Sequence, residues 1–167
     1  MRKQMKKFVF FMMAFISLLA FGANGGDSYK VVDGDSLEQG TRRIRLFGID
    51  APEYLQNCFD KNGEDYRCGL KSTDYLQSLL VGKVVCHKFS RDRYGRDLCE
   101  CINGEGLNIN RQMVISGWAV AYGEQYEEEE KSARKAHLGI WQGKFMRPEL
   151  FRALGRAKDK YNKNKKR

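Results

Sequence analysis

Proline and histidine are almost missing from this chain, with two of each in 167 residues. No Pro/Gly/Ser-rich linker divides it and no internal repeat runs through it, so tethered modules and repeat architectures are excluded. His87 and His137 have no cysteine at ligand spacing and there is no CxxC pair, which sets aside a Cys/His metal site. The apolar run from Phe8 to Phe21 is only fourteen residues long, short of the ~20 that cross a bilayer.

What that run does fit is a secretory signal peptide. Arg2, Lys3, Lys6 and Lys7 precede it, and Ala20-Phe21-Gly22 supplies small residues at the −3 and −1 positions of a cleavage site. No cysteine lies near the cut, so a lipoprotein is not expected. The chain divides into a signal peptide over 1–22, one domain over 23–143 and a basic extension over 144–167. That extension carries ten Lys/Arg against Glu149 and Asp159, whereas the domain is mildly acidic. Such an extension reads either as an electrostatic footprint for a polyanion or as an unstructured solubilising tail.

Short strands are predicted over Tyr29–Asp33, Ser36–Glu38, 42–49, 83–89 and 98–102, with Ile44 and Leu46 facing inward. Helical stripes cover 70–80, 107–116 and 124–138, and Trp118–Tyr122 is a brief extended run. Glutamates 127–130 open the third helix, where its dipole favours anions, and read as a solvated face. Strands first and helices later suit an α+β fold, a small closed or partly closed barrel of the OB type.

The chemistry concentrates in two places. A hairpin hinged at Gln39-Gly40 sets Asp35 opposite residues 44–45, making Arg45 its near neighbour, with Asp50 and Glu53 following from the same sheet end. Arg42 and Arg43 lie on the same strand, and register could exchange their roles with that of Arg45. Paired aspartates attract a hard cation, Ca²⁺ or Mg²⁺. Glu53 is then free to act as a base, and Arg45 offers a two-pronged contact to phosphate oxygens. The second place is a polar hairpin tip, Arg91-Asp92-Arg93-Tyr94-Gly95-Arg96.

Together, Asp33-Gly34-Asp35-Ser36, Ile44-Arg45-Leu46-x-Gly48-Ile49-Asp50-Ala51-Pro52-Glu53 and Asp92-Arg93-Tyr94-Gly95-Arg96 resemble the three motifs of the staphylococcal nuclease family. Asn110 and Gly117–Tyr122 also fit. The resemblance implies an OB-fold five-stranded barrel with three α-helices. It implies Ca²⁺-dependent hydrolysis of DNA and RNA by a monomer, leaving 3′-phosphate ends. Asp35, Asp50 and the Ala51 carbonyl would be calcium ligands, Glu53 the general base, and Arg45 and Arg96 phosphate partners. Arg93, Tyr94 and Tyr122 would contact the nucleotide. Ala51 and Ser36 stand where the family commonly has threonine, and the loop between Cys58 and Cys68 is an addition. The rival reading is a non-catalytic OB-type binding module, which would need cations and aromatics but no acidic cluster.

All five cysteines fall in the part expected to be exported, and two bridges among five allow fifteen arrangements. Cys58 and Cys68 bracket one loop. Cys86 and Cys101 lie on strands joined by the arginine-rich hairpin, with Cys99 facing the same side. The expected bridges are Cys58–Cys68 and Cys86–Cys101, leaving Cys99 a buried thiol. Protein recovered from the periplasm or the medium is expected to begin near Ala23, and an intact mass that still includes Met1 would refute the leader.

Overall fold

The computed structural model describes residues 28–165. The leader expected over 1–22 lies outside the described residues. Strands β1 (Lys30–Asp33), β2 (Ser36–Gln39) and β3 (Arg42–Leu46) form a meander, and β4 (Ile49–Asp50) follows after one turn. Next come the short pair β5 (Cys58–Phe59) and β6 (Asp65–Tyr66), helix α1 (Cys68–Leu79), and the hairpin β7 (Val85–Arg91) with β8 (Asp97–Ile102). Helix α2 (Ile109–Ile115), strand β9 (Val120–Ala121), α3 (Glu127–Lys135) and α4 (Pro148–Lys165) complete the described chain. None of these helices is long and apolar enough to cross a membrane.

The main sheet is mixed, in the order β1-β2-β3-β8-β7, with β3 and β8 parallel and the other neighbours antiparallel. Alternation along the strands sends Leu37, Ile44, Leu46, Cys99 and Cys101 to one face. There they pack with Leu76 of α1 and with Ile109, Met113 and Val114 of α2. Each large aliphatic side chain so buried stabilises the fold by about 1.5–3 kcal/mol. Asn110 fastens this layer: its amide donates to the Phe47 and Cys99 carbonyls, and its Oδ1 accepts the Cys101 N–H.

The α+β, OB-type arrangement matches the sequence, with four differences. The five strands are not closed into a barrel, because β1 and β7 remain as edges. Helix α1 packs against the short β1, and β7 is largely exposed. The extension from residue 144, read as a charged tail, forms a fourth helix. Pro148 opens it, Glu149 sits in its first turn and Lys163 and Lys165 in its last, each matched to the helix dipole.

The hairpin turn is centred one residue further along the chain than expected. The turn is Gly40-Thr41, with Gly40 at φ +57°, and Ser36 pairs with Arg45. Finally, Glu130 is not on a solvated face. It is buried, accepts the Ala121 N–H at 2.5 Å and is paired with Arg134, so it ties α3 to β9.

Both expected disulfides are present, Cys58–Cys68 and Cys86–Cys101, and Cys99 is a buried free thiol. The first closes the β5–β6 loop. That loop in turn pairs with the chain entering α4: the Phe59 and Lys144 backbones exchange bonds of 2.8 and 3.0 Å. The buried Gln56 side chain donates to the Met146 carbonyl at 2.6 Å.

At the β3–β8 junction the buried Asp97 carboxylate collects Lys88 at 2.8 Å, Arg42 at 2.9 Å and Arg91 at 3.0 Å. Those partners, Lys88 first, hold its pKa well below the ordinary 3.8. A depressed carboxylate stabilises the fold above its unfolded pKa, and that contribution drains away as pH falls through the folded value. Asp97→Asn is therefore expected to lower Tm near neutral pH. The gap to the parent protein should narrow at about pH 3, which paired thermal melts at the two pH values will measure.

Candidate active site

Four short segments meet at one end of the sheet. Asp35 stands at the entry to β2, Arg45 in β3, Asp50 ends β4, and Ala51-Pro52-Glu53 leads away. Helix α1 presses these segments together because two glycines leave it room. A Cβ on Gly34 would collide with the Ser72 hydroxyl and Ala51, and one on Gly69 would land on the Glu53 carbonyl. The Gly of the Asp-Gly-Asp triplet is thus required by close packing, since its φ is ordinary.

Arg45 forks between the two aspartates. Its Nη1 donates to Asp35 Oδ1 at 2.8 Å and its Nη2 to Asp50 Oδ1 at 2.7 Å. Asp35 Oδ2 accepts the Ala51 N–H at 3.0 Å, which turns the Ala51 backbone toward the same point. Asp35, Asp50 and Ala51 are all buried. Arg42 and Arg43 do not exchange roles with Arg45. Arg42 is committed to Asp97, and Arg43 donates to the Tyr94 carbonyl at 2.7 Å.

Above this floor lies a cleft of about 800 Å³. Arg45 and Glu53 form one side of it, and Arg93, Tyr94, Arg96 and Tyr122 face it from the β7–β8 hairpin tip and the end of β9. The tip is a rigid turn: Asp92 accepts the N–H groups of Tyr94 and Arg96, each at 2.9 Å, and the Arg96 Nε at 2.8 Å. Arg96 spends its Nε on Asp92 and lines the cleft. Arg93 lies 4.9 Å from the centre of the exposed Tyr94 ring. Arg45, Glu53, Arg93, Tyr94, Arg96 and Tyr122 thus line one cleft, and Asp35 and Asp50 are joined to it through Arg45.

Sequence reasoning missed the fourth wall. Glu149, Arg152 and Arg156 of α4 line the same cleft. Arg152 Nη1 reaches Asp50 Oδ1 at 2.9 Å and Glu53 Oε1 at 2.8 Å, while Nη2 reaches Asp50 Oδ2 at 3.0 Å. Arg96, by contrast, contacts none of the three carboxylates and is paired with Asp92. The missed signal was the helix start at Pro148-Glu149, after which positions 149, 152 and 156 share one face.

The electrostatics show a site short of positive charge. Burial pushes the Asp35 carboxyl up to about 7 against the pull of Arg45, and Asp33 and Asp50 add to the rise. Burial would lower the pKa of Arg45, but Asp35 and Asp50 outweigh it and raise the pKa. For Arg152 burial likewise opposes, and the bonds to Asp50 and Glu53 win. Among the described residues no group of three or more His, Cys, Asp or Glu side chains is arranged to hold a metal. The donors present are nevertheless hard oxygens, and a buried carboxyl that resists ionisation beside two guanidiniums is what a further cation would relieve. The donor set fits a Ca²⁺- or Mg²⁺-like ion.

A paired-carboxylate floor under a basic, aromatic-rimmed cleft defines a site for phosphate esters on an OB-type sheet. Comparison with known proteins gives the family. Residues 43–143 match the model of staphylococcal nuclease homologues, and the chain belongs to the staphylococcal nuclease family. It is 39% identical over 127 residues to an uncharacterized endonuclease of Escherichia coli O157:H7, covering 70% of this chain and 76% of that protein. It is 32% identical over 145 residues to a micrococcal nuclease of Shigella flexneri, covering 75% and 78%. It is also 37% identical over 117 residues to the succinoglycan biosynthesis protein ExoI of Rhizobium meliloti (strain 1021). That match covers 66% of this chain and 61% of ExoI, so the chain spans less than two thirds of that relative.

Removing Arg45 would take from buried Asp35 its guanidinium partner and leave buried Asp50 with Arg152 alone. Arg45→Met is expected to cost about 3–5 kcal/mol of stability in metal-free buffer. Adding Asp35→Asn should recover part of that loss, as read from denaturant midpoints of the single and double variants.

Proposed function

We propose that the protein is an exported, Ca²⁺-dependent, sugar-non-specific endonuclease. It hydrolyses phosphodiester bonds of DNA and RNA and leaves 3′-phosphate and 5′-hydroxyl ends. Family membership and relatives named endonuclease and micrococcal nuclease make it a nuclease-type hydrolase with nucleic acid as substrate. The observation that carries the finer reading is the Arg45 fork over Asp35 and Asp50, set in the floor of a cleft that also holds Glu53 and Arg96. The two disulfides support an oxidising compartment.

In this reading Asp35, Asp50 and the Ala51 carbonyl would hold a calcium ion, which would supply positive charge beside the phosphate group. Glu53 takes the proton from the attacking water, a general-base contribution of about 10²–10⁴-fold. Arg45 and Arg96 close on the non-bridging phosphate oxygens, and each such donor is worth about 3 kcal/mol as charge accumulates in the transition state. Tyr94 and Tyr122, both exposed at the rim, offer ring faces to a base or sugar, and Arg93 an adjacent cation. The basic α4 raises the local concentration of polyanion around an otherwise acidic domain.

Glu53→Gln keeps the shape and removes the basicity. With calcium saturating, its kcat on plasmid DNA is expected to fall by about 10²–10⁴-fold, while DNA binding persists. Arg96→Lys should fail similarly, because an ammonium cannot reproduce the two-pronged contact. Near-native turnover by Glu53→Gln would remove Glu53 from the role of base, and plasmid cleavage undiminished in excess chelator would refute the calcium requirement.

A further inference from the structure

The grip of Arg152 on the carboxylates has a direct consequence for any metal that binds there. The guanidinium takes Asp50 side-on through both oxygens and holds Glu53 with the same Nη1. Asp50 Oδ1 also receives Arg45. An ion seeking Asp50 therefore meets a resident cation, and Glu53 is held in an ion pair when it should be open to water.

Charge points the same way. With Asp35 ionised, as a bound cation requires, Asp35, Asp50 and Glu53 carry three negative charges against the two positive charges of Arg45 and Arg152. Exchanging Arg152 for a divalent cation leaves the cluster neutral. Adding the ion beside both arginines leaves an excess of one charge in a partly buried space, the costlier state.

Helix α4 is built so that it can leave. Its entry is anchored by the Phe59–Lys144 pairing, the Gln56–Met146 bond and the buried Pro148. From Ala153 onward every described residue is exposed, so beyond its first turn the helix has little packing to hold it down.

We propose that α4 is an autoinhibitory strap: Arg152 occupies the place of the divalent cation in the resting protein, and calcium can engage Asp50 only when Arg152 releases both carboxylates. The inference rests on the reading of Asp35 and Asp50 as the cation site. If the contact is made in about nine molecules of ten or more at rest, it weakens apparent calcium affinity about tenfold or more.

The test is calorimetric titration of the purified chain with Ca²⁺ alone, without nucleic acid, together with melts in chelator and in saturating calcium. Arg152→Met is expected to bind calcium about tenfold tighter or more, and Arg152→Lys to fall between. Arg156→Met, which removes the same charge from the same cleft but leaves the Asp50 contact intact, should stay close to wild type. Any Tm deficit of Arg152→Met in chelator should vanish with calcium, since the two cations exclude each other. Equal calcium affinity in wild type and Arg152→Met, or equal gains from Arg152→Met and Arg156→Met, would overturn the strap while leaving the cation site standing. Absence of calcium binding in every variant would overturn the site and the strap together.

Discussion

Two carboxylates that lie side by side under a protein surface can both stay ionised only with a cation between them. In this chain Arg45 meets that requirement, with one terminal nitrogen on each aspartate. Much of the local architecture serves this contact. The β2–β3 hairpin brings Asp35 and Arg45 to the same end of the sheet. The turn at Phe47-Gly48 returns Asp50 to that end, and Gly34 facing α1 and Gly69 within it let the helix press the segments inward. Without the guanidinium, the free energy of burying Asp35 and Asp50 would set itself against the same packing that forms the core.

The second cation reaches the cluster by a longer route, and a disulfide loop prepares it. Cys58–Cys68 closes the segment that follows Glu53. The closed loop offers a backbone edge to Lys144, and Gln56 fixes Met146. The chain is therefore aimed before α4 begins, and Arg152 lies one turn into the helix. The loop acts as a strut between the carboxylates and the basic helix.

Legibility in the sequence followed distance along the chain. Asp35, Arg45, Asp50 and Glu53 lie within nineteen residues, so strand alternation and one hairpin bring them together with no long-range assumption. Both disulfides could be read from loop bracketing and strand parity. The register differs from the expected one because the left-handed Gly40 opens a two-residue turn with Thr41, which moves the turn centre one residue beyond Gln39-Gly40. Glu130 was read by composition, as one of four acids on a helix, and nothing local reveals that β9 supplies its N–H partner. Arg152 was the hardest. Its helix start was visible, but its partners lie about a hundred residues earlier and only the folded path of the chain reveals them.

That separation also sets an order of assembly. Asp50 and Arg152 are 102 positions apart, so a chain folding from its N-terminus as it emerges forms the Arg45 fork long before Arg152 is available. During that interval the acidic cluster has one guanidinium and an unmet demand for charge. The last helix to fold then brings the second guanidinium to Asp50.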